Sequence, residues 1–248
     1  MHNLLKNVFA TVFIAGFTVS TVLAQQPRKR PDPVYIDAIE NTIVRSFIDL
    51  PNGNGRVTHS VNVGSPTTVH YTYDMDKGSI VALWKGDFLN ASSMWIERGD
   101  GSSRVRGKAT YFGKMALTLN KLSTDQAVWA ADTAGTRYKP TGYKLDDTGL
   151  PTFMYQINGL KVSDASRVLP NAEGIKREIT AQGSTTGMYA RLASAKQIVK
   201  VNDALYTIDD KAYQIRLDDG VKPVLRVSAE GQELIVPFQG KLTYSIIF

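Results

Sequence analysis

From Val34 onward the chain is written in short runs, about four to eight residues long, of Val, Ile, Thr, Tyr and Phe, separated by Gly, Pro, Asn and Asp. That texture predicts strands joined by tight turns, with runs at Thr42–Ile48, Arg56–Val63, Thr68–Asp74, Ser79–Lys85, Ala127–Ala131, Thr152–Ile157, Leu160–Ser163, Ile175–Thr180 and Leu242–Ile247 among them. The sharpest joint is Asn158-Gly159. TFMYQI precedes it and LKVSD follows it, and two residues that tolerate positive φ predict a type I′ hairpin. In the Thr68–Asp74 run the period of two places His70, Thr72 and Asp74 on one face and Tyr71 and Tyr73 on the other. Helical signals are poor. Pro33–Arg45 suits one or two turns, and Met115, Leu119 and Leu122 are spaced like a short helix, but neither segment is capped at both ends.

The fold class expected is therefore all-β: a large, mainly antiparallel β-sandwich, with a barrel as the close competitor. Its core is expected to hold Val61, Val69, Ile80, Ala82, Phe112, Phe153, Tyr155, Ile157 and Ile215. A chain of 248 residues is long enough to bury a conventional core, and one domain over residues 34–248 is expected, since β folds of this size commonly form one unit. The N-terminus reads differently. Residues 1–24 carry Lys6, an apolar run from Val8 to Val19 and the small-residue ending Val22-Leu23-Ala24, which predicts a signal peptide cleaved near Ala24. Residues 25–33, QQPRKRPDP, predict a flexible basic arm. The chain is thus expected to be exported, periplasmic or extracellular, with no membrane span after cleavage.

Composition narrows the chemistry. Cysteine is absent, which excludes disulfides, thiolate metal sites and a C-x-x-C-H haem attachment. The net charge is +6, and its one dense cluster, Arg28-Lys29-Arg30, reads as a solvated leader, so nucleic acid is not an expected partner. No cofactor is expected and no metal site is assigned. His59 and His70 stand alone, and Asp87 and Asp100 lack the ligand ladder of a calcium loop. Gly183–Gly187 has its serine in the wrong place for a nucleophile elbow.

The candidate site lies in residues 67–101. Trp84 and Trp95 offer flat aromatic faces on which a pyranose can stack, and Asp87, Arg98 and Asp100 are suitable partners for its hydroxyls. Trp84 also reads as the buried end of a strand. His70, with Asp74 on its face, suits an orienting or proton-transfer role, or simply a satisfied strand histidine.

Trp84-Lys85-Gly86-Asp87-Phe88-Leu89, followed by Trp95, Arg98 and Gly99-Asp100-Gly101, resembles the W-x-G-x-F-L…W…RG-x-G stretch of a β-rich domain in exported proteins of environmental bacteria. That domain is often joined to sugar-dehydrogenase-like propellers and c-type cytochrome modules. Val61–Pro66, His70–Asp74 and the Gly142–Tyr155 segment fit the same pattern, over about Val34–Thr180. The resemblance implies an accessory module, with any electron transfer left to a c-type cytochrome or dehydrogenase partner. No activity is assigned to that domain. The function expected is a non-catalytic module binding carbohydrate or another polyhydroxylated ligand. The alternatives are a sugar-acting enzyme (epimerase, lyase or hydrolase) using His70 and an acid, or a structural envelope protein that pairs with a protein partner through an exposed Leu242–Phe248 strand.

Overall fold

The computed structural model describes residues 31–96, 98–113 and 116–248; the expected signal peptide and most of the basic arm lie outside them. In chain order the elements are β1 (Tyr35–Ile36), β2 (Thr42–Asp49), β3 (Arg56–Gly64), β4 (Val69–Asp74), β5 (Ser79–Asn90), the single helical turn α1 (Ser92–Trp95), and β6 (Arg104–Tyr111). Then follow β7 (Leu119–Lys121), β8 (Lys139–Leu145), β9 (Pro151–Ile157), β10 (Leu160–Val168), β11 (Gly174–Gln182), β12 (Met188–Ala195) and β13 (Ile198–Lys200). The last five are β14 (Leu205–Ile208), β15 (Tyr213–Leu217), β16 (Val224–Ser228), β17 (Gly231–Pro237) and β18 (Lys241–Ile247). The fold is all-β, built of packed antiparallel sheets in the manner of a large sandwich.

One sheet has eight strands in the order β13-β14-β15-β18-β11-β10-β9-β8, and a second has four, β16-β17-β12-β7. The third runs β1-β5-β4-β3-β2 with β6 on the other edge of β5. β5 is long because it changes partners: its first half pairs with β4 and its end with β1. At the change Gly86 takes φ +130° opposite Gly107, where an added Cβ would lie 2.3 Å from the Lys85 carbonyl. This sheet curls until its edges meet. Phe47 of β2 donates its N–H to the Gly101 carbonyl, and the Ser103 N–H returns to the Phe47 carbonyl.

Alternation explains which faces are buried. In β10, Leu160, Val162 and Asp164 point inward while Lys161 is exposed; in β11, Ile175, Arg177 and Ile179 point inward between exposed Lys176 and Glu178. Asn158 and Gly159 have φ +49° and +84°, and Leu160 pairs with Ile157, so the β9–β10 turn is the two-residue hairpin its sequence predicts. β4 is buried along its whole length. Val69, Tyr71 and Tyr73 face the main core shared with Phe153, Tyr155 and Ile179, with the Tyr73 and Phe153 rings stacked at 3.8 Å. A smaller core of Ala82, Trp84, Phe88 and Leu89 fills the inside of the curled sheet.

Several expectations change. Pro33–Arg45 holds no helix but β1 and the start of β2, and the Leu119 segment is β7. Residues 127–131 form no strand; Trp129 is instead anchored by its indole N–H to the Leu117 carbonyl. Phe112 is half-buried, and Ala82 belongs to the smaller core. β18 is no free edge, since it lies between β15 and β11.

The main core contains an ion pair. Asp164 on β10 and Arg177 on β11 are 1% and 3% exposed, with Nε donating to Oδ1 at 2.9 Å and Nη2 donating to Oδ2. Burial works against the guanidinium's charge, yet Asp164 beside it holds it protonated. The pair ties all three sheets. Tyr73 of β4 donates to Asp164, while Arg177 donates to the Gly78 carbonyl, to Tyr244 of β18 and to Thr118, the residue before β7. Removing one member of such a pair strands the other charge, so Arg177→Met should cost about 3–5 kcal/mol in urea unfolding. The double variant Asp164→Asn/Arg177→Met should lose less than the sum of the single losses, because no bare charge is left behind.

Candidate functional site

Where the three sheets meet they leave a cavity of about 350 Å³, within the range of small-ligand sites. Ser79 at the start of β5 stands on one wall, Arg177 of β11 and its paired neighbour Tyr244 of β18 on a second, and Thr118, just before β7, with Arg191 and Leu192 of β12 on a third. Apolar lining from Ile80, Phe112, Leu117, Tyr213 and Ile246 surrounds these polar groups. Arg177 of the ion pair described above stands in its floor. Arg177 reaches the cavity and Asp164 does not.

Hydrogen bonding holds the floor rigid. Tyr244 accepts from Arg177 Nη1 at 3.0 Å and Thr118 accepts from Nη2 at 3.2 Å. Burial raises the pKa of Tyr244, so its hydroxyl keeps its proton at neutral pH. The Ser79 hydroxyl is closed to solvent and has no partner. Beside the floor, Arg191 and Arg226 both bind the Glu233 carboxylate, at 2.6 Å each, and the Arg191 guanidinium lies 5.2 Å from the Trp129 ring centre. Exposed Lys196, Asp209 and Glu230 form the rim.

The six residues singled out in the sequence lie elsewhere, in two groups. Trp84 is fully buried, and its indole N–H donates to the Asp87 carbonyl. His70 packs 5.4 Å from the Trp84 ring and 5.1 Å from that of Phe88. Its Nδ1 accepts from the Ser65 N–H and its Nε2 donates to the Gly86 carbonyl, which fixes the tautomer. Burial pushes its pKa below the ordinary value. The W-x-G-x-F pattern thus builds the smaller core, with the glycine supplying both the bend of β5 and the acceptor for His70.

The second group is on the surface. Asp87 is bonded to Arg106, whose guanidinium also binds Asp37 and covers the Tyr35 ring at 4.0 Å. Asp100 accepts from the Ser102 N–H and hydroxyl and from Arg56, and these bonds, Ser102 first, hold its carboxyl well below the usual range. Trp95, 59% exposed on α1, and Arg98 are open to solvent. Among the described residues no group of three or more His, Asp or Glu could hold a metal ion.

The cavity residues had a legible signal of another kind. Arg177 and Asp164 sit in phase with Ile175, Ile179 and Val162, so two charges occupy apolar positions of adjacent strands. No family model matches this chain, and no curated protein or solved structure matches it.

Asp74 yields a pH prediction. It shares the buried face with His70 and Thr72; its Oδ1 accepts from the Asp76 N–H, while its Oδ2 is buried without a partner. Burial pushes its pKa up to about 6. The unfolded carboxyl ionises near 3.8, so the folded state is penalised as pH rises from 4 to 6, and the penalty persists above that. Asp74→Asn should raise stability at pH 7.5 by about 2–3 kcal/mol and flatten that part of the profile, as measured by urea denaturation between pH 3.5 and 8.

Proposed function

We propose that this chain is an exported, non-catalytic binding module that takes a carbohydrate or another polyhydroxylated molecule in the inter-sheet cavity. It would serve sugar or polymer oxidation outside the cytoplasm beside a dehydrogenase or c-type cytochrome partner. The observation that carries this reading is the cavity itself, whose apolar walls surround a polar floor of Tyr244, Thr118 and Arg177 held by hydrogen bonds. Apolar walls suit the C–H faces of a sugar ring, and a few fixed polar groups orient its hydroxyls. Export rests on the N-terminal sequence. Among the described residues no helix is long and apolar enough to cross a membrane.

A non-catalytic role fits the state of the ionisable groups. Both ring nitrogens of His70 are occupied by backbone partners, so the proton-transfer pair of the enzyme alternative has no free basic atom there. Arg177 and Arg191 are committed to carboxylates. The central position of β18 removes the free edge on which pairing of Leu242–Phe248 with a partner strand would depend.

Trp95, with Arg98 and Asp100 close by in sequence, remains the second place where a sugar could stack, favoured by the exposed indole. Calorimetric titration with mono- and oligosaccharides separates the two places. Saturable binding that survives Trp95→Ala and falls in Thr118→Val is the expected result. A loss of about 1–3 kcal/mol in Trp95→Ala would move the ligand to the outer loop. Absence of binding to every sugar would sink the carbohydrate reading.

A further inference from the structure

Sheet edges are where a β protein can add strands, and those of this chain are guarded unequally. β7 and β13 are only three residues each. β8 carries Lys139, Pro140 and Lys144 and breaks its register between Pro140 and Gly142. β16, the outer strand of the four-stranded sheet, has none of these devices within its five residues. Its one charge, Arg226, is buried and turned inward: Nε and Nη2 donate to Glu233, and Nη1 donates to the Asp125 and Ala127 carbonyls. Ser228 pairs with Gly231 across a two-residue turn, so residues 224, 226 and 228 spend their backbone groups on β17. The N–H and C=O of Leu225 and Val227 therefore point out of the sheet edge, and among the described residues no backbone group meets them.

The side chains beside this edge are apolar and open to solvent. Leu225 and Val227 are 40% and 81% exposed. They share a face with Leu234 and Gln232, their paired residues on β17, and the Gln232 side chain accepts from the Ile198 N–H. β13, with exposed Val199 followed by exposed Val201, thus borders the same face. Exposed aliphatic side chains next to unpaired backbone groups are the makings of an interface. The exposed charges at the two ends of β16 differ in sign: Lys222 stands before it, and Glu230, which also acts on Arg191, stands in the turn after it. A parallel copy would set like against like, whereas an antiparallel copy sets each Lys222 against the other copy's Glu230.

We infer that this edge joins two copies of the chain, β16 against β16, antiparallel about a two-fold axis, so that the four-stranded sheet runs on from one copy into the other. In the pairing centred on Arg226, Leu225 lies opposite Val227 of the other copy, and their outward N–H and C=O groups satisfy one another. Arg226 falls on the axis with its charge already met by Glu233 of its own chain. An edge of five residues is small beside the roughly 1,200 Å² of a stable interface, so the dimer is in exchange with monomer and depends on concentration. The inference does not depend on what the cavity binds.

The test is sedimentation velocity of the full chain between about 1 μM and 1 mM, with Val227→Lys beside it. The expected result is a monomer–dimer equilibrium whose dissociation constant rises at least ten-fold in Val227→Lys, while urea unfolding at the lowest concentration keeps the midpoint of the parent chain. Because the chain has no cysteine, introduced thiols read the register. Under mild oxidation an equimolar mixture of Leu225→Cys and Val227→Cys chains should form more disulfide-linked dimer than either variant alone. A single monomeric species at every concentration overturns the inference. A dimer that Val227→Lys leaves intact, or a mixture that cross-links no better than either variant alone, overturns it as well, since each places the contact elsewhere.

Discussion

Burying a charge is among the most costly things a fold can do, and this one buries two at the place where its three sheets meet. The cost is tolerable only because each atom of the Asp164–Arg177 pair has a fixed partner, and those partners come from β4, β18, the β4–β5 turn and the segment entering β7. Apolar packing alone would let sheets slide against each other with little penalty. A guanidinium with a planar fan of donors does not, because a shift of an ångström breaks several charge-assisted bonds at once. The pair therefore sets the registration of the sheets, while the surrounding tyrosines and aliphatic side chains supply most of the burial.

The cavity is the other side of the same arrangement. Its floor is made of groups already immobilised by the ion pair, so a ligand that met them would spend little on ordering side chains. Arg177 cannot be altered without loosening the fold, and Tyr244 and Thr118, which accept from it, are bound into the same network. The small core around Trp84 is separate. There His70, Phe88 and the Gly86 carbonyl lock one another, and polar side chains such as Asn62, Ser46 and Thr72 bond among themselves on the inside of the curled sheet.

What could be read from the sequence was what depends on local pattern. Alternation gave the faces of β4 correctly, and Asn158-Gly159 gave its turn, because both are decided within a few residues. The Ala127–Ala131 run failed because an apolar stretch with a tryptophan packs equally well as irregular chain when its N–H finds a carbonyl. Residues 34–45 misled in the other direction, since strands as short as β1 have too few positions to show a period. The cavity was out of reach for a different reason: Ser79, Thr118, Arg177 and Tyr244 are brought together only by the pairing of distant strands. The trace it left in the sequence was a charge at an inward position of β10 and another of β11. Trp84 read both as a stacking face and as the buried end of a strand, and it is the second: its ring is fully buried against His70 and Phe88.

β18 enters the middle of the eight-stranded sheet, pairing Arg177 with Tyr244, 67 positions further along the chain. A polypeptide emerging in order from its N-terminal end can make the β8–β11 meander early, but Arg177 then waits with an incomplete set of partners until residues 241–247 arrive. The sheet's last-made strand is also the one that joins its two halves. Shortened chains therefore keep a buried charge only partly clothed and two open edges facing each other, which marks them for proteolysis or aggregation rather than for a slightly weaker fold. Length control is in this way built into the topology: only a chain read through to its seventeenth and eighteenth strands can close.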